Sequence, residues 1–162
     1  MKKYLIYGLL ISGIIGSCKK EEHVNPYDLI DNTQPDSTAT VLLDPTSLEG
    51  LHQQIFARTC ANSGCHDGTF EPDFRTIEST YNTLVNHPVI KNDPQGSFTY
   101  RVVPGDVSSS QIIARLTYDI DGNSGVMPLA LEPDSDWPEM KETYIDHVKT
   151  WIMAGALNAS DN

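Results

Sequence analysis

An all-α domain over residues 44–156 is the fold class this sequence predicts, and three observations point to it. Four segments place apolar residues at the three- and four-residue spacing of a helix face. No stretch keeps up the period-two alternation of a half-buried strand. Helix-start and helix-stop residues stand at the segment ends: Asp44-Pro45-Thr46-Ser47 before the first, Gly155 after the last.

The first helix is expected from Leu48 to about Arg58, with Leu48, Leu51, Ile55 and Phe56 on its inner face. A second, from Thr76 to Val85, would bury Ile77, Tyr81, Leu84 and Val85. The chain then runs extended through Arg101-Val102-Val103 and turns at Pro104-Gly105. Ser108 is positioned to cap a third helix carrying Ile112, Ile113 and Leu116. The closing helix, Trp137 to Ala154, has the clearest stripe: Met140, Tyr144, Ile145, Val148, Trp151 and Ile152. Between the third and fourth helices lies "YDIDGNSGVMPLALEPDSD", a length of loop that small domains keep mainly for function.

The ends read differently. In "MKKYLIYGLLISGIIGSC", Lys2 and Lys3 precede an apolar run from Tyr4 to Ile15 and the small pair Gly16 and Ser17, the pattern of an export signal over residues 1–17 and too short to span a bilayer. "IGSC" resembles the lipobox of bacterial lipoproteins. That resemblance implies that Cys18 becomes the lipidated N-terminus and anchors an exported chain to the outer membrane, on its periplasmic face or at the cell surface. Residues 18–43 mix charge, Asn, Pro, Ser and Thr without sustained periodicity, which suggests a tether. Residues 157–162 form a polar tail.

The formal charge is −11, and it falls to −13 once Lys2 and Lys3 are removed with the signal. A polyanion would be repelled, so nucleic acid is not an expected partner. A partner with a basic docking surface is the electrostatic complement. With lipid on Cys18, the remaining Cys60 and Cys65 face an oxidising compartment, where free thiols are not the expected end state.

Those two cysteines stand in "TCANSGCHD", as Cys60-x4-Cys65-His66. In a Cys-x-n-Cys-His motif the two thiols form thioether bonds to haem vinyl groups, and the adjacent histidine is held beneath the iron as its proximal ligand. The cysteine–histidine adjacency is the demanding part. The intervening residues form a loop, and Asn62, Ser63 and Gly64 suit one. A second axial ligand must come from far along the chain, and Met127 in "GVMPLA" is the candidate, a thioether that raises the potential of the iron.

A helix running into Cys60…Cys65-His66, then Pro104-Gly105-Asp106 with Ser110, then Met127-Pro128, then "WIMAGA" from Trp151 to Ala156, resembles in its order of motifs a single-haem c-type cytochrome of the planctomycete type. The resemblance covers roughly residues 48–156. It implies a cytochrome c-like helical domain with its first and last helices packed across each other and long loops enclosing one covalent haem c. Cys60 and Cys65 would attach the haem, His66 and Met127 would be its axial ligands, and a monomeric domain would pass single electrons between redox protein partners. The spacer of four residues in place of two, and Leu129 where many members have a second proline, depart from the family pattern. With both axial positions filled there is no open site for substrate, and the expectation is a carrier, not an enzyme.

Other readings of the same residues stay open at this level. A Cys60–Cys65 disulfide would staple a marginal exported domain that acts as a binding or assembly module. Zinc on Cys60, Cys65 and His66 would need a fourth ligand. His52, His87 or His147 in place of Met127 would make a bis-histidine haem, whereas Met140 and Met153 read as packing residues. Tyr144 and Trp151 fit the core and could reach the haem edge. The backbone carbonyls at Pro104-Gly105 could orient the proximal histidine through its free ring N–H.

Overall fold

The computed structural model describes residues 43–120, 122 and 124–159. The signal, Cys18 and almost all of the expected tether lie outside these residues, as does the end of the tail. Within them the fold is all-α, with isolated bridges such as Val85 to Val102 and Pro88 to Tyr100 in place of any strand. No helix among the described residues is long and apolar enough to cross a membrane.

The first helical element starts at α1 (Leu48–Leu51). Its N-cap hydroxyl, on Ser47, accepts the Gly50 N–H at 3.1 Å, and the Asp44 carboxylate accepts the Thr46 N–H at 2.8 Å. Gly50 is required by space, since a Cβ there would collide with the Asp44 carbonyl and Pro45 Cα. From His52 to Cys60 the same helix is wound as a π-helix, and Ala61 N–H closes on the Phe56 carbonyl five residues back at 2.9 Å. The expectation of an ordinary helix ending near Arg58 is thus corrected in winding and extended by two residues.

α2 (Ile77–Leu84) opens with a reciprocal cap, in which the side chains of Thr76 and Ser79 each accept the other's backbone N–H. α3 (Gln111–Thr117) begins three residues after the expected cap. Ser108 and Ser109 donate their hydroxyls to the Asp106 carboxylate at 2.6 and 2.7 Å, which wraps the chain into a turn, so the helix starts only after Ser110. Pro104-Gly105 is the expected turn, with Gly105 at φ 79°, and its N–H is tied to the Ile152 carbonyl at 2.7 Å.

α4 (Trp137–Met153) carries Pro138 in its first turn, where the missing N–H costs nothing, and ends at Ala154 with Gly155 in left-handed backbone, φ 100°. Beyond the cap, Ala156 is fully buried and gives its N–H to the Trp151 carbonyl at 2.9 Å. The Trp151 indole N–H in turn donates to the Leu157 carbonyl at 3.0 Å.

One core joins these pieces. Leu48, Leu51, Ile55 and Phe56 from the first helical element and Ile145, Val148, Trp151 and Ile152 from α4 are essentially without exposed surface. α1 and α3 both pack on α4, and α2 packs on the first helical element. Each fully buried large side chain contributes roughly 1.5–3 kcal/mol. The Phe56 and Phe74 rings stack with centroids 4.7 Å apart, which brings the loop after the cysteines down onto the core.

Candidate functional site

The π-helical turn hands the chain to a short closed loop. Cys65 N–H donates to the Asn62 carbonyl at 2.9 Å and His66 N–H to the Cys60 carbonyl at 3.2 Å, so the spacer folds back and sets Cys65-His66 against the end of the helix. Gly64 sits at φ 77° in this turn, a conformation that favours glycine. Asp67 spans the pair, accepting from Gly64 N–H at 3.0 Å through Oδ2 and from Thr69 N–H at 3.1 Å through Oδ1. Its bonds to Thr69 and Gly64 hold its pKa down to about 2.

His66 is fixed from several sides. Its Nδ1 donates to the Pro72 carbonyl at 2.8 Å, which leaves Nε2 as the unprotonated nitrogen of the neutral ring. Phe74 lies beside the imidazole, centroids 5.1 Å apart, and its N–H returns to the His66 carbonyl at 2.8 Å. Burial, the largest influence, moves the His66 pKa below its ordinary value despite the Pro72 bond, so the ring is held neutral. The carbonyl that orients His66 therefore belongs to Pro72. Pro104-Gly105, the other place considered for such a carbonyl, does not line the cavity, and the Gly105 N–H is tied to α4.

Cys60, Cys65, His66 and Met127 line one cavity of about 630 Å³, within the roughly 300–1,000 Å³ usual for small-molecule sites. Met127 is brought there by its N–H, which donates to the Arg115 carbonyl on α3 at 2.8 Å. Phe56, Phe74, Leu84, Ile112 and Leu116 make much of the wall apolar. The two thiols are not joined in a disulfide. Burial, then the neighbouring Cys65, push the Cys60 pKa up to about 12, which keeps it a thiol and removes it from the class of activated nucleophiles.

Two cations, both buried, reach the same cavity. Arg101 Nη1 donates to the Thr83 carbonyl at 2.7 Å and Nη2 pairs with Glu71 at 3.0 Å. Arg115 is 8% exposed, its Nη1 bonds the Ser124 hydroxyl, and its Nη2 is buried without a hydrogen-bond partner among the described residues. A buried N–H left unpaired costs about 1–3 kcal/mol. Neither arginine, nor Pro72, Phe74 or Asp67, was singled out from the sequence. The one available signal was Arg115 itself, a cation among the apolar residues of "QIIARLT".

The alternative histidines stand elsewhere and none lines the cavity. His52 Nε2 donates to the Phe74 carbonyl at 3.1 Å, His87 lies 3.6 Å from Glu71, and His147 packs beside Tyr144. Tyr144 and Trp151 are core residues, and neither reaches the cavity wall. Tyr144 gives its hydroxyl to Asp136 at 3.0 Å. Met140 packs against the core and Met153 is exposed. No group of three His, Cys, Asp or Glu side chains among the described residues is arranged to hold a metal ion.

No family model, no curated protein and no solved structure matches this chain.

Proposed function

We propose that the chain is a lipid-anchored, single-haem c-type cytochrome that carries one electron at a time between exported redox partners. The observation that carries this reading is the meeting of Cys60, Cys65, His66 and Met127, residues up to 67 positions apart in the sequence, on one largely apolar cavity.

The residues fit the demands of haem c. Two thiols next to a histidine serve thioether attachment, and the bond from Nδ1 to Pro72 fixes the tautomer that leaves His66 Nε2 free for iron. Met127 offers a thioether from the long loop. The unpaired Nη2 of Arg115, with Arg101 nearby in the wall, suits the two carboxylates of the haem edge, and supplies a reason to keep a buried cation there. Bound in this cavity, haem supplies a one-electron couple at its iron.

The protein's own contribution is to hold and screen. The neutral His66 ring, the apolar wall from Phe56 to Leu116 and the Met127 thioether in the same cavity would favour the reduced state and raise the potential. In this reading the packing of α1 on α4 is the meeting of first and last helices in a cytochrome c-like domain. Cys18 would carry the lipid, and the tether would keep the domain near the outer membrane.

The test is export of the full chain together with a haem-attachment machinery. A haem-stained band that survives denaturation, with a reduced-minus-oxidised spectrum of c type, is the expected result. A colourless product with a Cys60–Cys65 disulfide would overturn the proposal in favour of a stapled binding module.

A further inference from the structure

We propose that the carboxylate of Asp67 is the positioning residue that makes a four-residue spacer workable, by holding Cys65 and His66 in the shape in which the cofactor is received. The inference rests on the haem reading above.

Two added residues between the cysteines pose a physical problem, because a longer loop has more conformations to lose when both thiols must be presented together. The structure answers it with a clamp built from the residue that follows the histidine. Asp67 takes Gly64 N–H on one side and Thr69 N–H on the other, so its two oxygens bracket Cys65-His66 from before and behind. The remaining links are backbone to backbone: Asn62 to Cys65, Cys60 to His66, and Phe70 N–H to the Cys65 carbonyl at 3.2 Å. Asp67 is the only side chain among the described residues that ties the spacer to the segment after the histidine. A residue at the same place with no acceptor would leave Gly64 and Thr69 N–H to water and the spacer free to vary.

The clamp is local. The hydrogen bonds of the Asp67 carboxylate stay within residues 64–69, so its loss is expected to loosen the loop and leave the α1–α4 core standing. This separates a positioning role from a general structural one.

The experiment uses the full chain exported with haem-attachment machinery, as wild type, Asp67→Ala and Asp67→Asn. Haem per polypeptide is measured by absorbance and staining, and amide exchange by mass spectrometry of peptides covering residues 62–70 and α4 in haem-free preparations. Asp67→Ala is expected to load about fivefold less haem and to exchange about tenfold faster at 62–70, with α4 unchanged. Asp67→Asn keeps one acceptor oxygen and is expected to fall between. Equal loading of wild type and Asp67→Ala overturns the role of Asp67, as does unchanged exchange at 62–70. A wild type that takes no haem overturns the cytochrome reading itself, a failure told apart by its appearing in the wild type.

Discussion

Arg115 and Met127 define the site at the scale of single residues. An unpaired buried guanidinium nitrogen lowers stability unless something anionic meets it, so Arg115→Met, which keeps the length and drops the charge, is expected to stabilise the haem-free chain by ~1 kcal/mol in urea unfolding while weakening the haem-loaded form. Under the proposed haem function, Met127→Ala is expected to lower the reduction potential and remove the weak sulfur-to-iron absorption band. An unchanged spectrum would give the distal position to another side chain. Asp106 offers a titration far from the cavity. Its carboxylate, held by the Ser108 and Ser109 hydroxyls, has its pKa lowered from 3.8 to about 2. The folded form therefore holds its charge where the unfolded form takes a proton, and the stabilisation present above pH 3.8 is lost as pH falls toward about 2. Asp106→Asn should unfold at lower urea than wild type at pH 6, with the gap closing across that window.

The legibility of the site also divides at this scale. Cys60, Cys65, His66 and Met127 stood out as candidates because haem chemistry would demand those residue types, and the fold brings the four to one cavity. Pro72 could not, because it acts through a backbone carbonyl that any residue possesses. Arg101 and Arg115 are visible only once folding shows that they are buried.

Among the elements, the π-helical segment is the one that periodicity could not foresee. Leu51, Ile55, Phe56 and Thr59 recur at a spacing that fits either winding, so the pattern reads as an ordinary helix. The difference decides where Cys60 points. Nine residues turn through about 900° at 3.6 per turn and roughly 740° at about 4.4 per turn, so an α-helical version would swing Cys60 some 160° away from its present side. Deleting the exposed Gln53 leaves eight residues that as an α-helix turn through about 800°, only some 60° from the present aim of Cys60, so the deletion is expected to leave helix content by circular dichroism nearly unchanged and to disturb the presentation of Cys60 far less than rewinding all nine residues would. Gly50→Ala tests the start of the same element. Its Cβ has no room beside the Asp44 carbonyl, and a loss of about 1–3 kcal/mol is expected in the urea midpoint. The other helices were legible because Tyr81 and Leu84, Ile112 and Leu116, and Tyr144, Val148 and Ile152 recur at helical spacing, and Gly155 marks the end of the last. The start of α3 was misplaced because three serines in a row offered three caps, and Asp106 took all three hydroxyls, two with its carboxylate and that of Ser110 with its carbonyl.

For the whole molecule, charge and chain ends set how it meets its surroundings. Under the proposed cytochrome function, a chain this acidic is expected to pass electrons fastest to a partner with a basic face. Raising ionic strength from about 10 to 200 mM is expected to slow that transfer by about tenfold, measured by stopped flow, with a rate indifferent to salt arguing for an uncharged contact. The all-α class was readable from the spacing of apolar residues between Leu48 and Ile152. The fastening just after α4 was not, because it runs to backbone carbonyls: Ala156 N–H to that of Trp151 and the Trp151 indole N–H to that of Leu157. Trp151, the largest fully buried side chain, is latched by Leu157, and Ala156 is enclosed between them. A carboxypeptidase digesting toward the domain should stall near Leu157, and a stop codon after Gly155, which removes Ala156 and the acceptor of the Trp151 indole, should leave a short-lived chain.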